Sequence, residues 1–123
     1  MAVMTWLTLN GCGVPGAAGI AANLVVESGL DPGAIGSGVG LAQWAGHRRR
    51  QFLAYVGVRW RDGHAQLAYL KQEAIDLGVW GPVCAARDPG AAAGSWMLRF
   101  ERPRNRDPSR RAALARQIYA EAR

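Results

Sequence analysis

A chain of 123 residues is the length of one domain and excludes a second one of ordinary size, so we expect residues 1–123 to form a single domain. Half of the residues are hydrophobic, which allows a real core, but no apolar run approaches the roughly 18 residues of a membrane span. The formal net charge of +6 indicates an anionic partner such as nucleic acid, lipid or a cell-wall polymer, although an arginine-rich genome would produce the same charge.

Helix-forming residues dominate and β-branched residues are few, which favours an all-α fold. Helix-stop pairs such as Asn10-Gly11 and helix-start signals such as Asp88-Pro89 mark the boundaries. We predict helices over residues 1–9, 15–28, 46–56, 65–77, 89–100 and 109–122, with a short helix or turn from Trp80 toward Cys84.

The second predicted helix, residues 15–28, has small residues on nearly every side and can therefore be packed closely all round. We expect it to be the central helix of the domain. Its only ionisable residue is Glu27, and Gly29 ends the helix directly after it. The turn Asp31-Pro32-Gly33 leads into residues 34–42, where alternating glycines predict an irregular loop or a rudimentary hairpin.

The later helices have apolar faces that predict how they pack. We expect the inward residues to be Phe52, Leu53 and Val56, then Leu67, Leu70, Ala74 and Leu77, and in the last helix Ala113, Ile118 and Tyr119, with Ser109 as its cap. The third helix starts with three arginines, whose charge opposes the helix dipole, so we expect an anionic ligand or a carboxylate partner there.

Two cysteines and two histidines have no spacing that is typical of a metal site, and we expect no metal and no cofactor. Cys12 and Cys84 could pair if the protein is exported. They could equally be two unpaired, buried, small apolar residues, and this is the interpretation that we favour.

Glu27 has two interpretations. It is either a structural glutamate, exposed or paired with an arginine, or a general acid. The negative end of the helix dipole and the apolar neighbours Leu24 and Val26 both favour a protonated carboxyl, which is the state that a general acid needs. Lysozyme is the standard example of this arrangement.

The segment Glu27-Ser28-Gly29-Leu30, followed by Gly40-Leu41-Ala42-Gln43-Trp44, resembles the catalytic segment of the lysozyme-like superfamily, which includes goose-type lysozymes and soluble lytic transglycosylases. The closer resemblance is to the phage tail lysozyme family. It rests on these segments together with Ala17-Ala18-Gly19-Ile20, Asn23-Leu24, Arg48-Arg49 and Phe100-Glu101-Arg102-Pro103.

This resemblance implies a lysozyme-like helical domain that cleaves the β-1,4 bond between N-acetylmuramic acid and N-acetylglucosamine in bacterial peptidoglycan. It implies that Glu27 is the catalytic acid and that Ser28, Gln43 and Trp44 belong to the substrate-binding site. Ser28 would orient the helix end, Gln43 would bind sugar groups, and Trp44 would either stack on a sugar or pack in the core.

A second carboxylate is missing from residues 32–61, and we expect Glu101 to pair with an arginine and hold the last helices together. The sequence therefore favours a single essential acid. That fits a lytic transglycosylase, and it also fits an inverting hydrolase (a muramidase) whose water is held by neutral groups.

Two other classes of function remain at this point. A non-catalytic cell-wall-binding or structural tail domain would keep the fold without turnover, and a basic nucleic-acid-binding module would use the arginines, although no nucleic-acid-binding motif is present. The first residues lack the features of a signal peptide. We therefore expect the domain to act in a virion or tail, together with other phage proteins, or to be delivered to the cell wall by another route.

Overall fold

Seven α-helices form the regular structure of residues 2–122, which a computed structural model of the protein describes. They are α1 (Val3–Leu9), α2 (Val14–Ser28), α3 (Gly46–Val56), α4 (Gly63–Asp76), α5 (Trp80–Cys84), α6 (Pro89–Trp96) and α7 (Ser109–Ala122). A 3₁₀ turn at Gly57–Arg59 follows α3, and a π-helical turn at Met97–Glu101 continues α6. The all-α prediction is confirmed; Met1, which it placed in the first helix, lies outside the described residues.

Helix α2 is the centre of the fold, as predicted. Its residues from Gly16 to Leu24 are all buried, and it packs against α1, α5, α6 and α7. The glycines allow the close approach: a Cβ atom added to Gly19 would lie 2.6 Å from the backbone nitrogen of Ala93 in α6. Because α2 is held on several sides, the helix end that carries Glu27 has a fixed position.

The loop after α2 is an irregular hairpin, which confirms the predicted loop. Gly29 ends α2 in the left-handed conformation, with φ of 64°. Two isolated antiparallel bridges follow, from Val39 to Ile35 and to Trp44. The loop is fixed to α4 by the buried side chain of Gln66, whose Oε1 accepts a hydrogen bond from the Leu41 N–H at 2.8 Å.

Several inward residues were predicted wrongly. Leu53 and Leu77 are exposed, because α3 buries only Phe52 and Val56, and Leu77 follows the last residue of α4. Ala113 is exposed as well, since the buried face of α7 consists of Arg111, Ala112 and Ala115.

Helix α7 also starts differently from the prediction. Ser109 is its first helical residue and not its cap. The cap-like contacts come from Asp107, whose Oδ1 accepts hydrogen bonds from the Ser109 N–H at 3.0 Å and from the Ser109 hydroxyl at 2.6 Å. These bonds hold the pKa of Asp107 below its usual value.

Cys12 and Cys84 form a disulfide, so the interpretation as two unpaired residues was wrong. Their burial was predicted correctly. Their Cα atoms are 4.3 Å apart although 72 positions separate them in sequence. The neighbouring N–H of Gly13 donates to the carbonyl of Cys84 at 3.0 Å, so the backbone itself brings the two segments together. The disulfide joins the segment before α2 to the end of α5.

Reduction of this disulfide is expected to lower the free energy of unfolding by about 4 kcal/mol, because a long loop of the unfolded chain is released. Urea denaturation with and without dithiothreitol measures the difference. The double variant Cys12→Ser, Cys84→Ser is the control, since its unfolding midpoint should not respond to the reductant. Equal midpoints for the oxidised and reduced protein would contradict the expectation.

Candidate active site

Glu27 lies one residue before the end of α2, and its side chain is only 18 % exposed. The next residue, Ser28, donates its hydroxyl to the carbonyl of Leu24 at 3.0 Å. The Ser28 side chain therefore satisfies a carbonyl of the last helical turn, and it makes no hydrogen bond to Glu27 among the described residues. The helix end is thus closed by Ser28 and Gly29, and the carboxylate of Glu27 points toward α7.

The partner of Glu27 is Arg111 of α7, a residue that the sequence did not single out. Arg111 donates from Nη2 to Glu27 Oε2 at 2.8 Å and from Nη1 to Asn23 Oδ1 at 2.7 Å. Its side chain is only 9 % exposed. Glu27 thus has a cationic partner, which the expectation from the helix dipole and the apolar neighbours did not include.

Asn23 completes this group, and it is fully buried. Its Nδ2 donates to the carbonyl of Gly19 in α2 at 2.8 Å and to that of Ala93 in α6 at 3.0 Å. Asn23 therefore fixes Arg111, and Arg111 fixes one oxygen of Glu27. The group holds α2, α6 and α7 together at the end of α2, and it gives the Glu27 carboxylate a single orientation.

A second carboxyl, that of Glu101, interacts electrostatically with Glu27. Glu101, at the end of the π-helical turn, accepts a hydrogen bond from Trp96 Nε1 at 3.3 Å. Burial and the negative charge of Glu27 raise the pKa of Glu101 well above its usual value, although Arg48 and Arg111 act in the opposite direction. Within residues 2–122 Glu101 forms no ion pair, so the predicted pairing with an arginine is not found among these residues.

Gln43 and Trp44, the other predicted site residues, have side chains that are engaged within the protein. The Gln43 amide donates to the carbonyl of Gly40 at 3.0 Å and accepts from the Gly38 N–H at 3.1 Å, and its backbone has a φ of 55°. Trp44 is 1 % exposed and stacks on Phe52 with ring centroids 4.3 Å apart. Trp44 therefore packs in the core, which was one of its two expected positions; the other was a surface position that stacks on a sugar. The described contacts give neither side chain a hydrogen bond to Glu27.

Trp44 also takes part in a polar group that links the loop to the π-helical turn. Its Nε1 and two nitrogens of Arg48 donate to the carboxylate of Glu73 at 2.8–3.0 Å. Arg48 Nη1 donates to the carbonyl of Phe100 at 2.9 Å. Glu73 is therefore the carboxylate partner that we expected for the basic start of α3, and Arg48 fixes the turn that carries Glu101.

A cleft of about 860 Å³ opens between α3 and α4. Its lining includes the polar and charged residues His47, Gln51, Tyr55, Gln72, Asp76 and Arg102. Glu27 is not part of the lining. Two residues of the lining lie next to the π-helical turn: Arg102 directly follows Glu101, and Arg48 donates to the carbonyl of Phe100. Such a mixture of aromatic, amide and charged groups is suited to a polar ligand with many hydroxyl or amide groups.

Residues 2–122 also lack two other kinds of feature. No group of three His, Cys, Asp or Glu side chains is arranged to hold a metal ion there. The helices in that range are also too short or too polar to cross a bilayer.

The comparison with known proteins gives one family. The family model described as phage tail lysozyme matches residues 1–121, which is nearly the whole chain. No curated protein matches the chain.

Proposed function

The chain belongs to the phage tail lysozyme family, and from that premise we propose that it cleaves the β-1,4 bond between N-acetylmuramic acid and N-acetylglucosamine in bacterial peptidoglycan. Membership indicates a cell-wall-degrading enzyme of the glycosidase type. The observation that carries the finer proposal is the carboxyl of Glu27, which is largely buried at the end of the central helix and is oriented by Arg111.

In this proposal Glu27 is the general acid. It donates a proton to the bridging oxygen while the bond from that oxygen to C1 of the muramic acid breaks. Water or the 6-hydroxyl of the same muramic acid then bonds to C1, which gives a hydrolase in the first case and a lytic transglycosylase in the second. The rigid attachment of α2 supports this role, because a general acid has to be held within hydrogen-bond distance of the oxygen.

The neighbouring residues are proposed to shape the substrate site. Ser28 would fix the helix end below Glu27, and Gln43 would hold the loop that forms one wall. Trp44 would act from the core by orienting Glu73 and Arg48. We propose that sugar rings beyond the cleaved bond, or the peptides attached to them, extend into the cleft between α3 and α4.

Charge and the disulfide support an action at the bacterial cell wall. The net charge of +6 would draw the domain toward anionic wall polymers. The disulfide persists in oxidising surroundings such as the space outside the cytoplasmic membrane. We propose that the domain acts as part of a phage tail or virion, in contact with other tail proteins.

Mass spectrometry of the fragments released from purified peptidoglycan tests the proposal. We expect fragments that end in muramic acid; reducing ends would identify a hydrolase and 1,6-anhydro ends a transglycosylase. Fragments with reducing N-acetylglucosamine ends, or free peptides without glycan cleavage, would contradict it. A protein that sediments with the wall but releases nothing would be a wall-binding domain.

A further inference from the structure

The cleft between α3 and α4 is lined by one face of each helix. His47, Gln51 and Tyr55 follow one another at intervals of four along α3, and Gln72 and Asp76 do so along α4. Residues four apart lie on the same side of a helix, so each helix presents a row of polar side chains to the cleft. Its volume of about 860 Å³ is that of a site for a small-molecule ligand.

Two charged residues of the lining are already engaged within the protein. Arg48 Nη2 and Nε donate to the two carboxylate oxygens of Glu73 at 2.8 and 3.0 Å. Glu73 also accepts from Trp44 Nε1 at 2.9 Å, and Arg48 Nη1 donates to the carbonyl of Phe100 at 2.9 Å. This ion pair therefore shapes the cleft, and its charges are neutralised before any ligand arrives.

Asp76 and Arg102 are the charges of the lining that stay available to a ligand. Both residues are exposed, and neither takes part in an ion pair within residues 2–122. Asp76 Oδ1 accepts only from the neutral amide of Gln72, at 2.9 Å. The backbone of Arg102 is fixed, because its N–H donates to the carbonyl of Met97 at 2.7 Å. The cleft thus presents one anion and one cation that do not neutralise each other.

An aromatic wall lies beside these charges. Tyr55 is 61 % exposed, and its ring lies against that of Tyr69, with centroids 5.1 Å apart. Tyr69 is buried, so it fixes the position of the exposed ring. Such a ring is a surface on which aliphatic groups of a ligand can pack. The cleft is therefore suited to a ligand that combines short aliphatic groups with a negative and a positive charge.

The two parts of peptidoglycan differ in this respect. The glycan strand consists of N-acetylated sugars, and the lactyl carboxyl of each muramic acid is uncharged where an amide joins it to a stem peptide. The stem peptide carries alanine methyl groups, the free carboxylate of a glutamate that is linked through its side chain, and the free ammonium of a diamino acid. Charge complementarity therefore favours the peptide over the glycan as the ligand of the cleft.

We propose that the cleft between α3 and α4 binds the stem peptide of peptidoglycan, with Arg102 on the free carboxylate of its glutamate and Asp76 on the ammonium of its diamino acid. The aliphatic groups of the stem pack on Tyr55. The inference rests on the proposed function, because the stem is attached to the muramic acid whose bond is cleaved. Three extended residues reach about 10 Å, so the cleft does not have to contain Glu27.

NMR titration with stem tripeptides tests the inference without any cleavage. The probes are L-alanyl-γ-D-glutamyl-L-lysine and its meso-diaminopimelate analogue, which contain no glycosidic bond. We expect at least one of them to shift the backbone amides of α3, α4 and Arg102 in a saturable way. Arg102→Gln and Asp76→Asn should each weaken its binding about three- to tenfold. Arg104→Gln and Glu121→Gln are the matched controls, since both residues are exposed and neither lines the cleft.

A change in the probe identifies the contact of Arg102. A tripeptide whose glutamate carboxylate is replaced by an amide should bind the wild type more weakly, but Arg102→Gln should bind both tripeptides equally. Equal binding of the two tripeptides by the wild type would overturn the inference. So would the absence of saturable shifts, an equal loss of affinity in the control variants, or shifts of the same amides by chitotetraose and not by the tripeptides, because the cleft would then bind the glycan.

Cleavage of soluble glycan strands with and without stem peptides connects the site to the reaction. Arg102→Gln should raise KM for the strands with stems about three- to tenfold, with kcat unchanged, and should not affect the bare strands. An equal effect on both kinds of strand would overturn the inference. Glu27→Gln should bind the tripeptides like the wild type. If Glu27→Gln cleaves normally, the proposed function fails; if it is inactive and the tripeptides do not bind, only this inference fails.

Discussion

Glu27→Gln is expected to slow the clearing of a cell-wall suspension by about 10²- to 10⁴-fold, because the amide cannot donate a proton to the bridging oxygen. The fold should survive the change. The side-chain oxygen of glutamine can still accept the hydrogen bond from Arg111 Nη2, and Arg111 keeps its bond to Asn23. Turbidity loss of purified walls, with the thermal unfolding of both proteins, measures activity and stability separately.

Glu121→Gln is the matched control for this variant. It makes the same chemical change near the end of α7, where Glu121 is exposed and far along the chain from Glu27. The control should clear walls at the wild-type rate. If Glu27→Gln also clears walls at that rate, Glu27 is not the acid and the proposed mechanism is wrong.

Arg111→Met is expected to lower the free energy of unfolding by about 3–5 kcal/mol. The methionine fills similar space, but it leaves the carboxylate of Glu27 and the Oδ1 of Asn23 without their donors in a largely buried site. Urea denaturation at neutral pH measures the loss. Arg110→Met is the control, since Arg110 is exposed on the same helix and its replacement should change stability by about 0.5 kcal/mol or less.

The double variant Glu27→Gln, Arg111→Met identifies the cause of that loss. A neutral glutamine does not need a cation, so the double variant should lose less stability than the sum of the two single variants. If the losses in unfolding free energy simply add, Arg111 and Glu27 stabilise the fold independently, and their ion pair makes no contribution of its own.

The helices could be predicted because local signals mark their ends. Gly29 supplies the left-handed residue that stops α2, and Asp88 with Pro89 starts α6: the Asp88 side chain accepts from the Ala91 N–H at 2.9 Å. The basic start of α3 was likewise a reliable signal, because an uncompensated charge at that end of a helix requires a partner, and Glu73 is that partner.

The partners of Glu27 could not be predicted, because they depend on contacts between distant parts of the chain. Arg111 is 84 positions from Glu27, and it faces inward on α7 although apolar residues nearby seemed better candidates for the core. An arginine one position before the buried Ala112 could have been recognised as the counterion of a buried acid. The disulfide depends in the same way on how α5 packs against the start of α2.

The surroundings of Glu101 could not be predicted, because they depend on a local departure from α-helical geometry. A helix pattern assumes α-helical spacing, but the turn at Met97–Glu101 is wider and rotates the following residues to a different side. The side chain of Glu101 accepts a hydrogen bond from Trp96 Nε1, and its charge interacts with that of Glu27. Periodicity in the sequence gives no indication of such a turn.

The link between Cys12 and Cys84 has a consequence for the survival of the domain where proteases are present. The tip of the hairpin loop, residues 35–37, is exposed and lies between the two cysteines in the chain. A protease that cuts there would produce two pieces, one carrying Glu27 and the other carrying Arg111 and Glu101. The disulfide would keep both pieces in one molecule, so a cut chain could still hold its acid and the partners of that acid together.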